Sequence, residues 1–341
     1  MKLFIFYIIA IFLSISVSGC DNHGYPITEN LELPSGTSRE LASSDASLMS
    51  SDTNIVKIQG NKVVALQSGK AVVYQIVDGK KVGEFNVSVR PFRLYSIGNS
   101  HTWDLKPDGD LVTMAKVNNI NIENDWHIYC GHNIDNIINN PEKTCVPPKA
   151  YKYKQAINSV AYDAITIEPF FGSTGKSEVD AIESLIKEIR RSKSKNAKIY
   201  IYYTWPQNDS KPLDEMNYNK IWNQPTPPTS KQFNNNSTFI EYMKNRFKSD
   251  GYNVDGFIPI GDYLSEFDSS ARNGDIPGFT GAGNLYRDYL HMNNVGKLII
   301  SKKYLESIFN IDNIEYADGT YLPGQVPNRD KNLSTEIKLY R

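Results

Sequence analysis

Beyond Pro91 the chain alternates short β-like runs with helical ones, which predicts an α/β domain: a parallel sheet with helices on both faces. Two further observations place that domain in the 341-residue chain. A stretch of short β-like runs punctuated by glycine-containing turn pairs precedes it, and an apolar run opens the sequence. The expected order is therefore a leader, a small all-β domain and a larger α/β domain. The formal net charge of −1 argues against a nucleic-acid binder, which carries a basic excess. The one short basic run, Lys187 to Lys195, reads as the solvated end of a helix.

Residues 1–19 have the form of an export signal. Lys2 is a positive start, Leu3 to Ile15 is apolar, and Val17-Ser18-Gly19 supplies small residues before Cys20. The pattern resembles a bacterial lipoprotein signal with its lipobox cysteine. That resemblance implies lipidation at Cys20 and a cell-envelope protein anchored to a bacterial membrane, periplasmic or surface-exposed. No other stretch is long and apolar enough to span a bilayer.

Residues 20–30 are polar and read as a tether. From 31 to 90 the β-like runs are Ile55–Ile58, Lys62–Leu66, Ala71–Ile76 and Val82–Val89, separated by Gly60-Asn61, Ser68-Gly69 and Asp78-Gly79. Such pairs close hairpins and predict a small sandwich. Ser51 to Val56, Val63 to Leu66 and Gly69-Lys70-Ala71 are similar to the bacterial immunoglobulin-like group 2 domain, a spacer or adhesive module. The spacer role is the expectation here.

The α/β domain is expected over 91–311. Its strand candidates are Phe92–Ile97, Ile120–Trp126, Ala164–Ile167, Ala197–Tyr203 and Val254–Ile260. Helical spacing recurs at Val179, Ile182, Leu185, Ile186 and Ile189, again at Phe239, Tyr242, Met243 and Phe247, and last from Val295 to Ile308. The polar stretch Gln207–Asn236 is too long for a simple connection and should overhang the carboxyl edge of the sheet. Ala271–Asn284 carries four glycines and is expected to be mobile. Gly261-Asp262-Tyr263-Leu264 is read as a loop, and 312–341 as an irregular tail.

Leu94 to Thr102 runs from apolar residues into Gly98-Asn99-Ser100, a turn that presents a serine at a strand end. Near the far end, Asp288 stands three residues before His291. That spacing lets the carboxylate hold one imidazole nitrogen while the other faces a serine from another strand. Ligands of parallel sheets sit at such strand ends.

Gly98-Asn99-Ser100 with Asp288-x-x-His291, in that order on an α/β pattern, resembles the SGNH (GDSL-like) hydrolase superfamily over roughly Pro91 to Phe309. The resemblance implies a three-layer α/β/α, flavodoxin-like fold. It also implies a Ser-His-Asp mechanism with Ser100 as nucleophile, His291 as base and Asp288 as its support. The reactions implied are hydrolyses of esters, often acetyl groups on sugars. By the same resemblance the backbone of Ser100 and Gly131 would form the oxyanion hole. The family's third block ends in an asparagine that completes the hole, and here the strand ends Thr166-Ile167-Glu168-Pro169. Glu168 is expected to face the cleft, either as a neutral carboxyl donating to the oxyanion or paired with a cation as a brace.

Trp205, Asn99 and His132 are expected on the substrate side of the site, Trp205 as a platform for a sugar ring or, in the other reading, as a core cap. His101 reads as a site wall or capping residue, not as the base, and His127 as an ordinary polar residue. Export permits a disulfide between Cys130 and Cys145, worth ~3 kcal/mol for a loop of about fifteen residues. The sequence leaves its geometry open. No metal site is expected, because the five histidines are not spaced as ligands, and no cofactor is implied. The expected protein is a monomeric, lipid-anchored esterase meeting an acylated carbohydrate or other small ester, with membrane contact through its lipid and no nucleic-acid partner. The alternatives are a glycan-binding surface lipoprotein with a degenerate hydrolase domain, or an acyltransferase using the same triad.

Overall fold

The computed structural model describes residues 27–316, except 42–45, 106, 171–172, 226–230, 232–235, 253 and 313. The signal segment, Cys20 and residues 317–341 lie outside the described residues.

The N-terminal unit consists of two facing sheets. Strands β1 (Ile27–Pro34), β3 (Ser47–Ser50), β6 (Gly69–Val77) and β7 (Lys80–Arg90) form one, in the order β1-β7-β6-β3. Strands β2 (Ser38–Glu40), β4 (Val56–Gln59) and β5 (Lys62–Ala65) form the other, in the order β2-β5-β4. Strand β1 begins at Ile27, inside the stretch expected as a tether, and pairs with β7. Asp78-Gly79 closes the β6–β7 hairpin with both residues at positive φ, the geometry that matches strand twist. Alternate residues point inward, so Val56, Val63, Ala65, Val73, Phe85 and Val87 make a separate small core.

After Pro91 the chain enters a five-stranded, all-parallel sheet. Its strands are β8 (Phe92–Gly98), β9 (Ile122–Ile128), β10 (Ala164–Ile167), β11 (Lys198–Tyr203) and β12 (Gly256–Pro259). Their spatial order, β12-β11-β10-β8-β9, is the flavodoxin-like arrangement, with the direction of winding reversing at β8. Every residue of β10 is buried, as a central strand covered on both faces requires.

The helices are α1 (Ser100–Asp104), α2 (Asp110–Val117), α3 (Ile134–Asn139), α4 (Tyr153–Ser159), α5 (Gly175–Arg190), α6 (Tyr218–Trp222), α7 (Ser237–Ser249), α8 (Ile260–Arg272) and α9 (Asn294–Phe309). Helices α3, α5 and α7 pack in one row and α2, α9, α8 and α6 in another, giving three layers. Three of the four long helices start on side-chain caps: Thr174 accepts from the Ser177 N–H, Asn236 from Phe239, and Asn293 from Gly296, while α8 follows Pro259 without one. Val179, Ile182, Leu185, Ile186 and Ile189 give α5 its buried stripe.

Two sequence expectations are corrected here. Gly261 to Leu264 is not a loop but the first turn of α8, because Ile260, Leu264, Phe267 and Ala271 recur at helical spacing and are all buried. Ala271–Asn284 is tied down rather than free. Asp268 accepts from the Ala282 N–H at 2.8 Å, and the Asn284 amide oxygen accepts from the N–H groups of Thr280 and Gly281 at 2.7 and 3.1 Å.

Candidate active site

Three strand ends meet where the winding reverses. The Gly98 carbonyl at the end of β8 accepts from the Tyr129 N–H just beyond β9, at 2.9 Å. The Ile97 carbonyl accepts from the Glu168 N–H just beyond β10, also at 2.9 Å. Ser100 begins α1 at this point and is partly exposed, above a strand whose last five residues are buried.

Asn99 is the N-cap of α1. Its side-chain oxygen accepts from the His101 N–H at 3.1 Å, and the residue is 2% exposed. This corrects its expected place on the substrate side: a capping amide turned into the protein does not face a ligand.

Glu168 is also corrected. It is 1% exposed and lies beneath α1 instead of facing the cleft. Its Oε2 accepts from the N–H groups of Asn99 and Thr102, at 3.0 and 2.9 Å, and from the Thr102 hydroxyl. Its Oε1 is buried without a hydrogen-bond partner, 3.6 Å from His101 Nδ1, so the carboxyl is shut in beneath α1 rather than aimed at an oxyanion. The brace it forms uses backbone and hydroxyl donors in place of a cation. Burial pushes its pKa up to about 7 against the pull of the Thr102 and Asn99 hydrogen bonds. The chain approaches so closely here that a Cβ on Gly98 would lie 2.3 Å from Thr102 Oγ1 and 2.5 Å from Glu168 Oε2. Only glycine fits.

Asp288 and His291 lie in the turn before α9. The imidazole Nδ1 is 3.1 Å from both carboxylate oxygens, and Oδ1 also accepts from the N–H groups of Leu290 and His291 at 2.8 Å. Partial burial raises the Asp288 carboxyl, but those N–H groups and the imidazole outweigh it and bring the pKa down to about 2. The carboxylate is therefore ionised at neutral pH and selects the tautomer with hydrogen on Nδ1. The His291 ring stands edge-on to His101, centroids 6.0 Å apart, and His101 directly follows Ser100. The turn is locked to α1 through buried Asp104, whose Oδ2 accepts from the Met292 N–H at 2.8 Å.

His101 is fully buried, its Nδ1 2.9 Å from the Thr204 hydroxyl and its ring stacked on Trp205 at 4.6 Å. Burial, helped by nearby His291, lowers its pKa to about 3, so it is neutral at working pH. Trp205 is likewise 0% exposed and donates Nε1–H to the Leu290 carbonyl at 2.8 Å. The expected sugar platform is thus corrected: Trp205 backs His101 from inside and offers no face to a substrate.

Gly131 lies in the exposed turn after β9 with φ of 70°. That turn is closed by a Cys130–Cys145 disulfide. His132 is half-buried, stacked flat on Tyr129 at 3.6 Å, with Nδ1 2.8 Å from the Cys130 carbonyl oxygen. Buried Glu178 accepts from the N–H groups of Ile134 and Phe170 at 3.3 and 2.8 Å, joining the turns after β9 and β10. Among the described residues no cluster of His, Cys, Asp or Glu is arranged to hold a metal ion.

Thr102, Asp104 and Glu178 were not anticipated from the sequence. Thr102, two residues after the serine, is the nearest to a visible signal. The Asp104–Met292 bond spans 188 positions, and no local pattern announces it.

No family model and no curated protein matches the chain. Among solved structures it is similar to a DUF4886 family protein from Bacteroides uniformis, with TM-score 0.50 and 16% identity over 73% of this chain and 92% of that one. It is also similar to a protein from Slackia heliotrinireducens assigned to the SGNH hydrolases, with TM-score 0.41 and 16% identity over 64% of this chain and 100% of that one. A further neighbour is a two-domain esterase active on acetylated mannans, with TM-score 0.38 and 12% identity over 66% of this chain and 52% of that one. The α/β fold, a parallel sheet between helix layers, is shared with the DUF4886 family protein.

Proposed function

We propose that this protein is a serine esterase of SGNH type that removes an acyl group, acetyl first among candidates, from a carbohydrate. The observation that carries the reading is the Asp288–His291 couple standing beside the first turn of α1, where Ser100 ends the approach of β8. In the proposed cycle Ser100 Oγ attacks the ester carbonyl carbon while His291 Nε2 takes its proton. The imidazolium keeps its Nδ1 hydrogen on Asp288, which stabilises the charge without accepting the proton. The N–H groups of Ser100 and Gly131 receive the oxyanion. Collapse expels the sugar hydroxyl, protonated by His291. Water activated by the same imidazole then releases the acid from the acyl-serine.

The remaining sequence expectations enter the proposal as well. The N-terminal sandwich is read as a bacterial immunoglobulin-like module, and Cys20 as the lipid anchor to the cell envelope. The test of the chemistry is hydrolysis of a chromogenic acetate ester by the wild type and by Ser100→Ala and His291→Ala. Each variant is expected to lose turnover, and the double variant to lose little more, because the residues act as one unit. Full activity in either single variant would overturn the triad assignment, whereas absence of turnover in the wild type would favour the glycan-binding alternative. Cys20→Ser is expected to leave the membrane fraction with catalysis unchanged; its retention in washed membranes would point to another anchor.

A further inference from the structure

The polar segment after β11 builds a cavity against the turn that carries Asp288 and His291. Asn208 is its stake. This fully buried residue donates its backbone N–H to the Tyr289 carbonyl at 2.7 Å and its side-chain N–H to the Leu213 carbonyl at 2.9 Å. It also accepts from the Ser210 N–H at 3.0 Å. Behind it, Trp205 is bonded to Leu290 and the Tyr286 hydroxyl to the Pro206 carbonyl, at 2.8 Å each. The segment and the Asp288–His291 turn are therefore held together at three points. Between them lies a cavity of about 520 Å³, walled chiefly by Gln207, Asp209, Ser210, Lys211, Leu213 and Tyr289. That volume falls within the range of small-ligand sites, about 300–1,000 Å³.

We propose that this cavity is a carbohydrate subsite, with Tyr289 as the platform under a pyranose ring; the proposal rests on the esterase reading of the adjoining Asp288 and His291. Tyr289 is 58% exposed, one of few large apolar side chains left open among the described residues, and it follows Asp288 directly. A sugar ring has an apolar C–H face that covers an aromatic ring and a rim of hydroxyls that both donate and accept. The walls supply the matching chemistry. The Gln207 amide is held on the Asp209 carboxylate at 2.6 Å, and Ser210 and Lys211 add a hydroxyl and an ammonium. One lysine beside one carboxylate favours a neutral ligand over a phosphate.

The experiment uses the full chain carrying Ser100→Ala, which cannot consume its ligand. It is titrated with mannopentaose, xylopentaose, cellopentaose and chitopentaose and followed by saturation-transfer NMR. At least one of the four is expected to bind. Adding Tyr289→Ala should weaken that binding by about tenfold or more, whereas Tyr289→Phe, which keeps the ring, should retain it. Equal melting temperatures confirm that the variants are folded, as expected for a surface side chain. Absence of binding for all four sugars, unchanged binding in Tyr289→Ala, or equal loss in Tyr289→Phe and Tyr289→Ala would each overturn the subsite. Turnover of p-nitrophenyl acetate by the wild type is scored separately. Tyr289-dependent sugar binding without ester turnover would remove the esterase and leave the subsite. Ester turnover without sugar binding would do the reverse.

Discussion

Glu168 shows how a single residue can change meaning between sequence and structure. From the end of β10 it is expected to face the cleft, but the side chain turns under α1 and holds the N–H groups of Asn99 and Thr102. Its buried carboxyl has a folded pKa of about 7, above the usual value of 4.5, and buried Glu178 behaves the same way. For a carboxyl raised on folding, the neutral form is the one the fold favours. Its stabilising share is therefore whole below pH 4.5 and lost as pH rises through about 7. The melting temperature is expected to fall across that window, and Glu168→Gln, which keeps an acceptor oxygen without the charge, to flatten the fall. Melting curves from pH 4 to 8 measure this; an identical slope in Glu168→Gln would show that the group does not titrate. Glu168→Ala strands two backbone donors and a hydroxyl, each orphan costing about 1–3 kcal/mol. It should lose both stability and turnover, while Glu168→Gln stays active.

At the level of elements, two short connections shape the site. The first is the β8–α1 turn, where a side chain on Gly98 has no room between Thr102 and Glu168. Gly98→Ala is expected to cost about 1–3 kcal/mol, the usual penalty for overpacking, and to abolish turnover by displacing Ser100. Chemical denaturation and the chromogenic assay test the two effects independently. The second is the turn after β9, which carries Gly131 between the bridged Cys130 and Cys145. Cys145→Ser removes the cross-link and should lower stability by about 2–4 kcal/mol. If Gly131 contributes to the oxyanion hole, kcat should fall more than KM rises, since that contact strengthens only in the transition state. A change in KM alone would place the turn on the binding side.

Across the whole molecule, the two units are joined by more than a linker. Only Pro91 separates β7 from β8. Arg90 makes a two-pronged bond to Asp163, at 2.6 and 2.7 Å, and Asp163 also accepts from the Arg93 N–H at 2.8 Å. Ser35 Oγ accepts from the Asn121 N–H at 2.7 Å, and Gly36 sits against Phe309 and Ile120. The N-terminal sandwich therefore covers the end of the sheet opposite the site. The protein is expected to melt in one calorimetric transition. Asp163→Ala should lower stability by about 1–3 kcal/mol, a fall of about 1–5 °C in Tm for a chain of this size. Two separate transitions would mean that the units fold independently and that the sandwich is a detached spacer.

Local pattern is enough to locate the five parallel strands, three of the four long helices, the β4–β5 and β6–β7 hairpins and the Asp288–His291 spacing, but not the change of sheet at Ser68-Gly69. Each depends on a period, a cap or a turn pair within a few residues, where backbone sterics and apolar spacing decide. The short helices α3 and α6 span fewer than two turns and carry too little periodicity to stand out, and α8 was hidden because Gly261 to Leu264 mimics another motif. Direction and depth were decided only by tertiary packing. Trp205 looks like a platform and Asn99 like a site residue until His101 and α1 close over them, and Glu168 looks like a donor until its oxygen is taken by Asn99 and Thr102. Tyr289, an unremarkable tyrosine in a polar run, is left open because Asn208 pins the facing segment to its backbone and not to its ring. Burial of a side chain depends on what arrives from the far end of the chain, and residues 66 to 188 positions apart make those choices here.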